Sequence, residues 1–252
     1  MSVLREVMLG WLRRLAGSRH RDRIVLRGSL LLGAWCESRE PADVDHLLLD
    51  SFELGSARAM VNELLARDDD QTSFDLATAT HDPIWAETPF PGLRTKVLGR
   101  CAAGSHILQI DLGHGDPLAL PPVLTSIDGG PEVLGVRPET MFAWKVHGLF
   151  EFGHGSWRAK DLYDLWLLDQ HVPVANDVAV ASLRLAFESR RTPLSMTDRF
   201  LFTEAWGASR GSRRRWESFG RRSGLTLPEL LDVIQGVRHR LLPLFASLGH
   251  AG

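Results

Sequence analysis

Apolar residues recur at helical spacing over the first sixteen positions. Val3, Leu4, Val7, Met8, Trp11, Leu12 and Leu15 share one stripe, which predicts an amphipathic helix docked on a core. Ile24-Val25-Leu26 is a short β-branched and apolar run that stops at Gly28-Ser29, ahead of a helical-looking stretch from Leu30 to Cys36. Val44 and His46-Leu47-Leu48-Leu49 read as a buried strand. Ser56 then serves as N-cap of a helix reaching Arg67, with Met60, Val61, Leu64 and Leu65 on one face. Asp68-Asp69-Asp70 reads as a solvated turn. Alternation over Phe74 to Thr80, Leu93 to Ala102 and His106 to Leu112 predicts strands of a mixed sheet, and the prolines and glycines from Pro117 to Pro138 mark a boundary or a long connection.

Past Pro138 the period changes. Glu139 to Phe152, Lys160 to His171, Asp177 to Glu188 and Leu227 to Leu248 carry helix-period apolar stripes, and strand signals vanish. The expected architecture is therefore α/β (α+β): a mixed-sheet lobe over residues 1–130 and a helical lobe over 131–252.

With 252 residues, 44% hydrophobic and a net charge of −2, the chain buries enough surface to need no disulfide or metal staple. Near-zero charge excludes a uniformly basic nucleic-acid binder, though not a local basic patch. Cys36 and Cys101 cannot build a disulfide framework or a zinc site, and they suit a reducing, cytoplasmic setting. The longest apolar stretch, Leu30 to Trp35, falls far short of a membrane span, and no secretory signal is visible. All but three of the 29 basic residues are arginine, so Lys96, Lys145 and Lys160 stand out.

Candidate chemistry begins at Gly28-Ser29 and Asp43-Val44-Asp45. Glycine-serine is common here, and a decoy pairs Ser56 with Asp68-Asp69-Asp70. Context separates them: Ser29 follows a strand-like run and opens a helix, whereas Asp43 and Asp45 run straight into an apolar strand. Two aspartates at i and i+2 of a strand point to one face, and a divalent cation relieves their repulsion; all-oxygen ligands suit Mg²⁺. A Gly28-Ser29 turn gives phosphate a close backbone approach, helix-start N–H groups and a hydroxyl. Each half alone reads more readily as a capped turn or as surface acids; the two together, in this order along the chain, favour function. Asp111, inside the apolar Ile110-Asp111-Leu112, is either a third metal ligand or a strand-end residue facing solvent. Lys145 lies in an otherwise apolar helix, and Asp161 and Asp164 share a face at i, i+3. That set is either a structural ion pair or a lysine holding triphosphate oxygens beside a catalytic-site aspartate, with Lys145 then lying in a water-filled site.

The ordered set Gly28-Ser29, Arg39, Asp43-x-Asp45, Lys145 and Lys160-Asp161-Leu162-Tyr163-Asp164-Leu165 resembles the AbiEii/AbiGii-type nucleotidyltransferase toxins of the DNA polymerase β-like nucleotidyltransferase superfamily. The resemblance spans about residues 20–170 and is most specific from Lys145 to Leu168. It implies a nucleotidyltransferase fold and the toxin of a bacterial toxin–antitoxin or phage-defence system, moving a nucleoside monophosphate from NTP to the tRNA 3′ end. It also implies triphosphate contact by Ser29, nucleotide binding by Gly28, Arg39 and Lys145, metal ligation by Asp43 and Asp45, a catalytic-site role for Asp161, and a cognate antitoxin. On the reading of the residues, Asp111 helps hold the metal or acts as base toward the acceptor hydroxyl. Gly-Ser here runs into leucines where many relatives carry a polar or small residue, which bears on the acceptor more than on the reaction.

Weaker signals remain. Arg210 to Arg222, with Arg213-Arg214-Arg215 at its centre, is a solvated helical face or, for a tRNA acceptor, a phosphate-binding strip. Trp157 beside Arg158 is a core residue or a ring for base stacking, and the scattered histidines have no zinc spacing. Rival readings are transfer to a protein side chain or to a small molecule such as an aminoglycoside, and a non-catalytic binding protein of the same fold.

Overall fold

The strands predicted for the first half pair into one mixed sheet in the computed structural model, which describes residues 1–193 and 203–249. They are β1 (Ile24–Arg27), β2 (Val44–Leu48), β3 (Thr72–Ile84), β4 (Gly92–Cys101), β5 (Gly104–His114), β6 (Val123–Ser126) and β7 (Glu132–Gly135), in the order β3-β4-β5-β2-β1-β7-β6. The pairs β2–β5 and β1–β7 are parallel and the others antiparallel. The stretch read as a connection from Pro117 to Pro138 thus holds two strands. Each is only four residues long, too short to show a period, and the turn between them puts Asp128 and Gly129 at positive φ.

This sheet belongs to a compact unit made of residues 1–34, 40–116 and 122–136. Three helices accompany it: α1 (Val3–Ala16), α2 (Gly28–Leu32) and α3 (Leu54–Leu65). The cap of α3 differs from the sequence expectation. Glu53 closes it, its carboxylate accepting from the N–H groups of Gly55 and Ser56, so the helix starts two residues before Ser56. Asp69 is no solvated turn residue either. Arg13 donates two bonds to it at 3.0 and 2.9 Å, and buried Arg14 adds one at 3.3 Å. Burial would raise the Asp69 carboxyl, but the bonds from Arg13 and Thr72 and the arginine charges hold it down to about 2.

Helix α1 is pinned through its indole. Trp11 Nε1 donates to His46 Nε2 at 2.8 Å, both groups being buried. Burial, with the Arg27 charge, pushes His46 down to about 3, so the imidazole is neutral and free to accept. A histidine depressed from its ordinary 6.5 has a fixed sign of linkage: its stabilisation is complete above about 6.5 and drains away as pH falls toward 3. Urea unfolding of the wild type is expected to weaken across that window. In His46→Gln, which keeps an acceptor but does not titrate, that part of the pH dependence should vanish.

A second unit comprises residues 35–39, 117–121 and 137–252. Its helices are α4 (Pro138–Ser156), α5 (Ala159–His171), α6 (Asn176–Ser189), α7 (Glu204–Ala208), α8 (Arg210–Ser223) and α9 (Leu230–Gly249). Pro138 starts α4 at the position where a missing N–H costs nothing, and Gly224 ends α8 in the left-handed region. An aromatic core ties α4, α6 and α9 together: Phe150, Phe187 and Phe245 meet edge-to-face at 5.6 to 6.4 Å. Trp157 belongs to the same economy. It is 2% exposed and sits edge-on to Trp206 at 4.8 Å, which removes the base-stacking reading.

Candidate active site

Register brings the first set of acids together. In the parallel pair β2–β5, Asp45 lies opposite Asp111, and Asp43 precedes Asp45 by two residues on the same face. Asp43, Asp45 and Asp111 each offer a carboxylate oxygen within 4.8 Å of the others. Like charges set opposite one another in a sheet repel, so this arrangement requires a counter-charge. One comes from β4: Arg94 is paired with Asp111 in the antiparallel β4–β5 register and donates two bonds to its carboxylate, at 2.9 and 2.6 Å. The Asp111 bond, with the Asp43 and Asp45 charges beyond it, raises the Arg94 pKa above its already high ordinary value. Gln109 Nε2 bridges the cluster, 3.3 Å from Asp111 Oδ2 and 3.5 Å from Asp43 Oδ2. Asp111 is 3% exposed, so its strand-end reading fails.

Gly28 and Ser29 adjoin these acids. Gly28 has φ +77°, and a Cβ there would stand 2.2 Å from Asp45 Oδ2. The glycine therefore makes room for a carboxylate of the triad, a use not foreseen from its place in a turn. Ser29 is 2% exposed and its Oγ has no hydrogen-bond partner, an arrangement that costs free energy unless something else completes it. Helix α2 spans five residues, ending at Leu32 rather than Cys36, so the hydroxyl and not a long helix dipole is the feature offered here.

The second unit holds its own constellation. Lys145 Nζ on α4 donates to Asp161 Oδ1 at 2.9 Å and to Asp164 Oδ2 at 2.8 Å, both on α5. Arg158 pairs with Asp161 Oδ2 at 2.5 Å. Arg39 closes the other end, donating to both Asp164 oxygens at 3.1 and 3.2 Å. Burial would lower the Lys145 ammonium, but Asp161 and Asp164 more than offset it and hold the lysine charged far above its usual range. Burial would likewise raise Asp161, and the Lys145 and Arg158 charges win, holding its carboxyl low. Lys145 is thus only 14% exposed at its side chain, more enclosed than a lysine waiting in open water. Asp164, fully buried, is the hub that links Lys145 to Arg39.

On α8 the three central arginines have different surroundings. Arg213 donates to the Ala208 carbonyl, Arg215 donates to the Trp157 carbonyl at 2.7 Å, and Arg214 is exposed. Exposed Arg210 and Arg221 lie at helical spacing from Arg214.

Against known proteins, the model of the family described as nucleotidyl transferase AbiEii toxin, type IV toxin–antitoxin system, matches residues 11–239. The chain belongs to the AbiEii family. No curated protein matches it in sequence. Among solved structures, JHP933 from Helicobacter pylori aligns with a TM-score of 0.58 at 14% identity, over 98% of this chain and 92% of that one. A second H. pylori protein, provisionally described as a nucleotidyltransferase, aligns at 0.51 and 13% identity, over 98% and 95%. Both likenesses show the fold. Nucleotidyltransferases of this kind use a divalent metal, and the donor set fits one: three carboxylates and no nitrogen or sulfur, which is ligand chemistry for a hard cation. For an AbiEii-family chain, sequence reasoning missed Arg94, Gln109 and the hub role of Asp164. Arg94 had no signal in the sequence, because the β4–β5 register that pairs it with Asp111 is set by a two-residue turn at Ala102-Ala103, a pair without turn chemistry. No helix among the described residues is long and apolar enough to cross a membrane.

Proposed function

We propose that this AbiEii-family toxin is a Mg²⁺-dependent nucleotidyltransferase that moves a nucleoside monophosphate from NTP to the 3′ end of tRNA, blocking translation, under control of a cognate antitoxin. The observation that carries the reading is the carboxylate triad with the unpartnered Ser29 hydroxyl in the adjoining turn. Asp43 and Asp45 would hold the cation, with Asp111 beside them, and the cation when bound would supply charge neutralisation for the triphosphate. Ser29, whose buried hydroxyl lacks a partner, would donate to a phosphate oxygen at the start of α2, beside the Asp45 carboxylate that Gly28 makes room for. The acceptor hydroxyl forms the new bond to the α-phosphorus as the bond to the β-phosphate oxygen breaks, so pyrophosphate departs and the hydroxyl proton passes to solvent. Asp111, with both oxygens engaged by Arg94, suits the role of anchor beside the two ligands better than that of base.

Lys145, Asp161 and Arg39 are proposed to serve the nucleotide through a network of three cations and two carboxylates, whose surplus positive charge suits a phosphate. Arg213, Arg214 and Arg215 are proposed as RNA contacts, with exposed Arg214 and its neighbours Arg210 and Arg221 the strongest members. The test offers the protein each α-labelled NTP with Mg²⁺ and total tRNA. Label should enter RNA with the wild type and fall by at least about a hundredfold in Asp43→Asn and Asp45→Asn, the scale of losing one stabiliser of developing charge. Label appearing in protein or in a small acceptor would replace the tRNA reading, and undiminished transfer by either variant would remove the metal assignment.

A further inference from the structure

We infer that Arg94 stands in for a second metal ion: by occupying Asp111 it makes the triad a one-cation site, held by Asp43 and Asp45. This rests on the metal-dependent reading above and concerns a residue which that reading does not use.

Three observations carry it. First, the Arg94 fork takes both oxygens of Asp111, and Gln109 adds a further donor to Asp111 Oδ2. A carboxylate held by three donors has little left to offer an ion. Second, the pairing is built into the sheet, because Arg94 and Asp111 face each other in the β4–β5 register and Asp111 is 5% exposed at its side chain. Planar bidentate pairs of this kind are the strong ones, and a guanidinium cannot be deprotonated to release its partner. Third, Arg94 already supplies at Asp111 the counter-charge that a second ion would bring. Two-metal sites place their ions roughly 3.5–4 Å apart. A second ion near Asp111 would have to expel the guanidinium and forfeit the fork.

Arg94 is accordingly a positioning residue. It acts through Asp111, supplying permanently, as part of the chain, the positive charge that a second ion would bring there.

The experiment counts Mn²⁺ by electron paramagnetic resonance on the full chain, with an equimolar mixture of the four α,β-methylene NTP analogues present. The wild type is expected to saturate at one Mn²⁺ per chain, lost in Asp43→Asn. Arg94→Met should bind two, with the first about tenfold tighter because a charge near the ion is gone. Arg94→Lys, which keeps the charge, should stay at one. Two ions on the wild type would overturn the inference without touching the metal-dependent reading. So would an Arg94→Met protein, folded by circular dichroism, with unchanged number and affinity. A wild type that binds no Mn²⁺ would remove the metal-dependent reading and this inference together. Should Arg94→Met fail to fold, the wild-type count and Arg94→Gln decide in the same way.

Discussion

Asp164→Ala is expected to destabilise the helical unit by about 3–5 kcal/mol, the usual cost of removing one partner from a buried charge network. Asp164 is fully buried and answers both Lys145 and Arg39, so its loss takes a carboxylate from two cations at once. Lys145→Ala should cost distinctly less. It leaves Asp161 with Arg158 and Asp164 with Arg39, and each acid keeps a guanidinium. Six of the eight tryptophans lie in this unit, so intrinsic fluorescence during urea unfolding reads it selectively. The pH course follows from Asp161: its carboxyl is held low in the folded chain, so the stabilisation is complete above the ordinary carboxylate range and is lost as pH falls below it. An Asp164→Ala protein that unfolds at the wild-type urea concentration would show the network to be stability-neutral. A Lys145→Ala protein that keeps its stability but loses nucleotide-induced stabilisation would place the lysine on substrate.

Gly28→Ala should abolish most transfer without removing any polar group. An alanine there meets two penalties: a positive φ, costing about 1–3 kcal/mol, and a Cβ 2.2 Å from Asp45 Oδ2. The carboxylate must then turn away from Asp43 and Asp111. Supporting residues around metal ligands typically matter by 10–100-fold in affinity or activity, and this one acts by direct contact, so a loss near the upper end is expected. Mn²⁺ affinity and transfer should fall together. Transfer at the wild-type rate with a normal melting curve would show that Asp45 has freedom to move there.

The sequence disclosed those parts of the molecule that repeat or alternate. The stripe of α1, the strands β3 to β5 and the long helices of the second unit were legible because each satisfies its period over many residues. The four-residue strands β6 and β7 were not, having too few positions to establish one. Asp43 and Asp45 could be placed on one face from their spacing alone. Arg94 could not, because its partner depends on a hairpin turned by Ala102-Ala103, a pair without turn chemistry, beside a single suggestive Gly104. Asp164 could be placed beside Asp161 but not ranked above it. That ranking depends on Arg39, 125 residues away, reaching the same carboxylate.

The parallel pairing of β2 with β5 also has a temporal side. Strands β1 and β2 reach only as far as Leu48, yet their parallel neighbours are β7 and β5, so Asp45 meets Asp111 and Leu26 meets Gly135 only after long loops have closed. Such closures are paid for in chain entropy before any contact rewards them, and they come late in folding. A chain still on the ribosome, with Asp43 and Asp45 emerged but β5 not yet made, carries two aspartates and no triad. For a protein of a toxin family the consequence is written into topology: synthesis must run past Asp111, and β5 must pair with β2, before the triad exists.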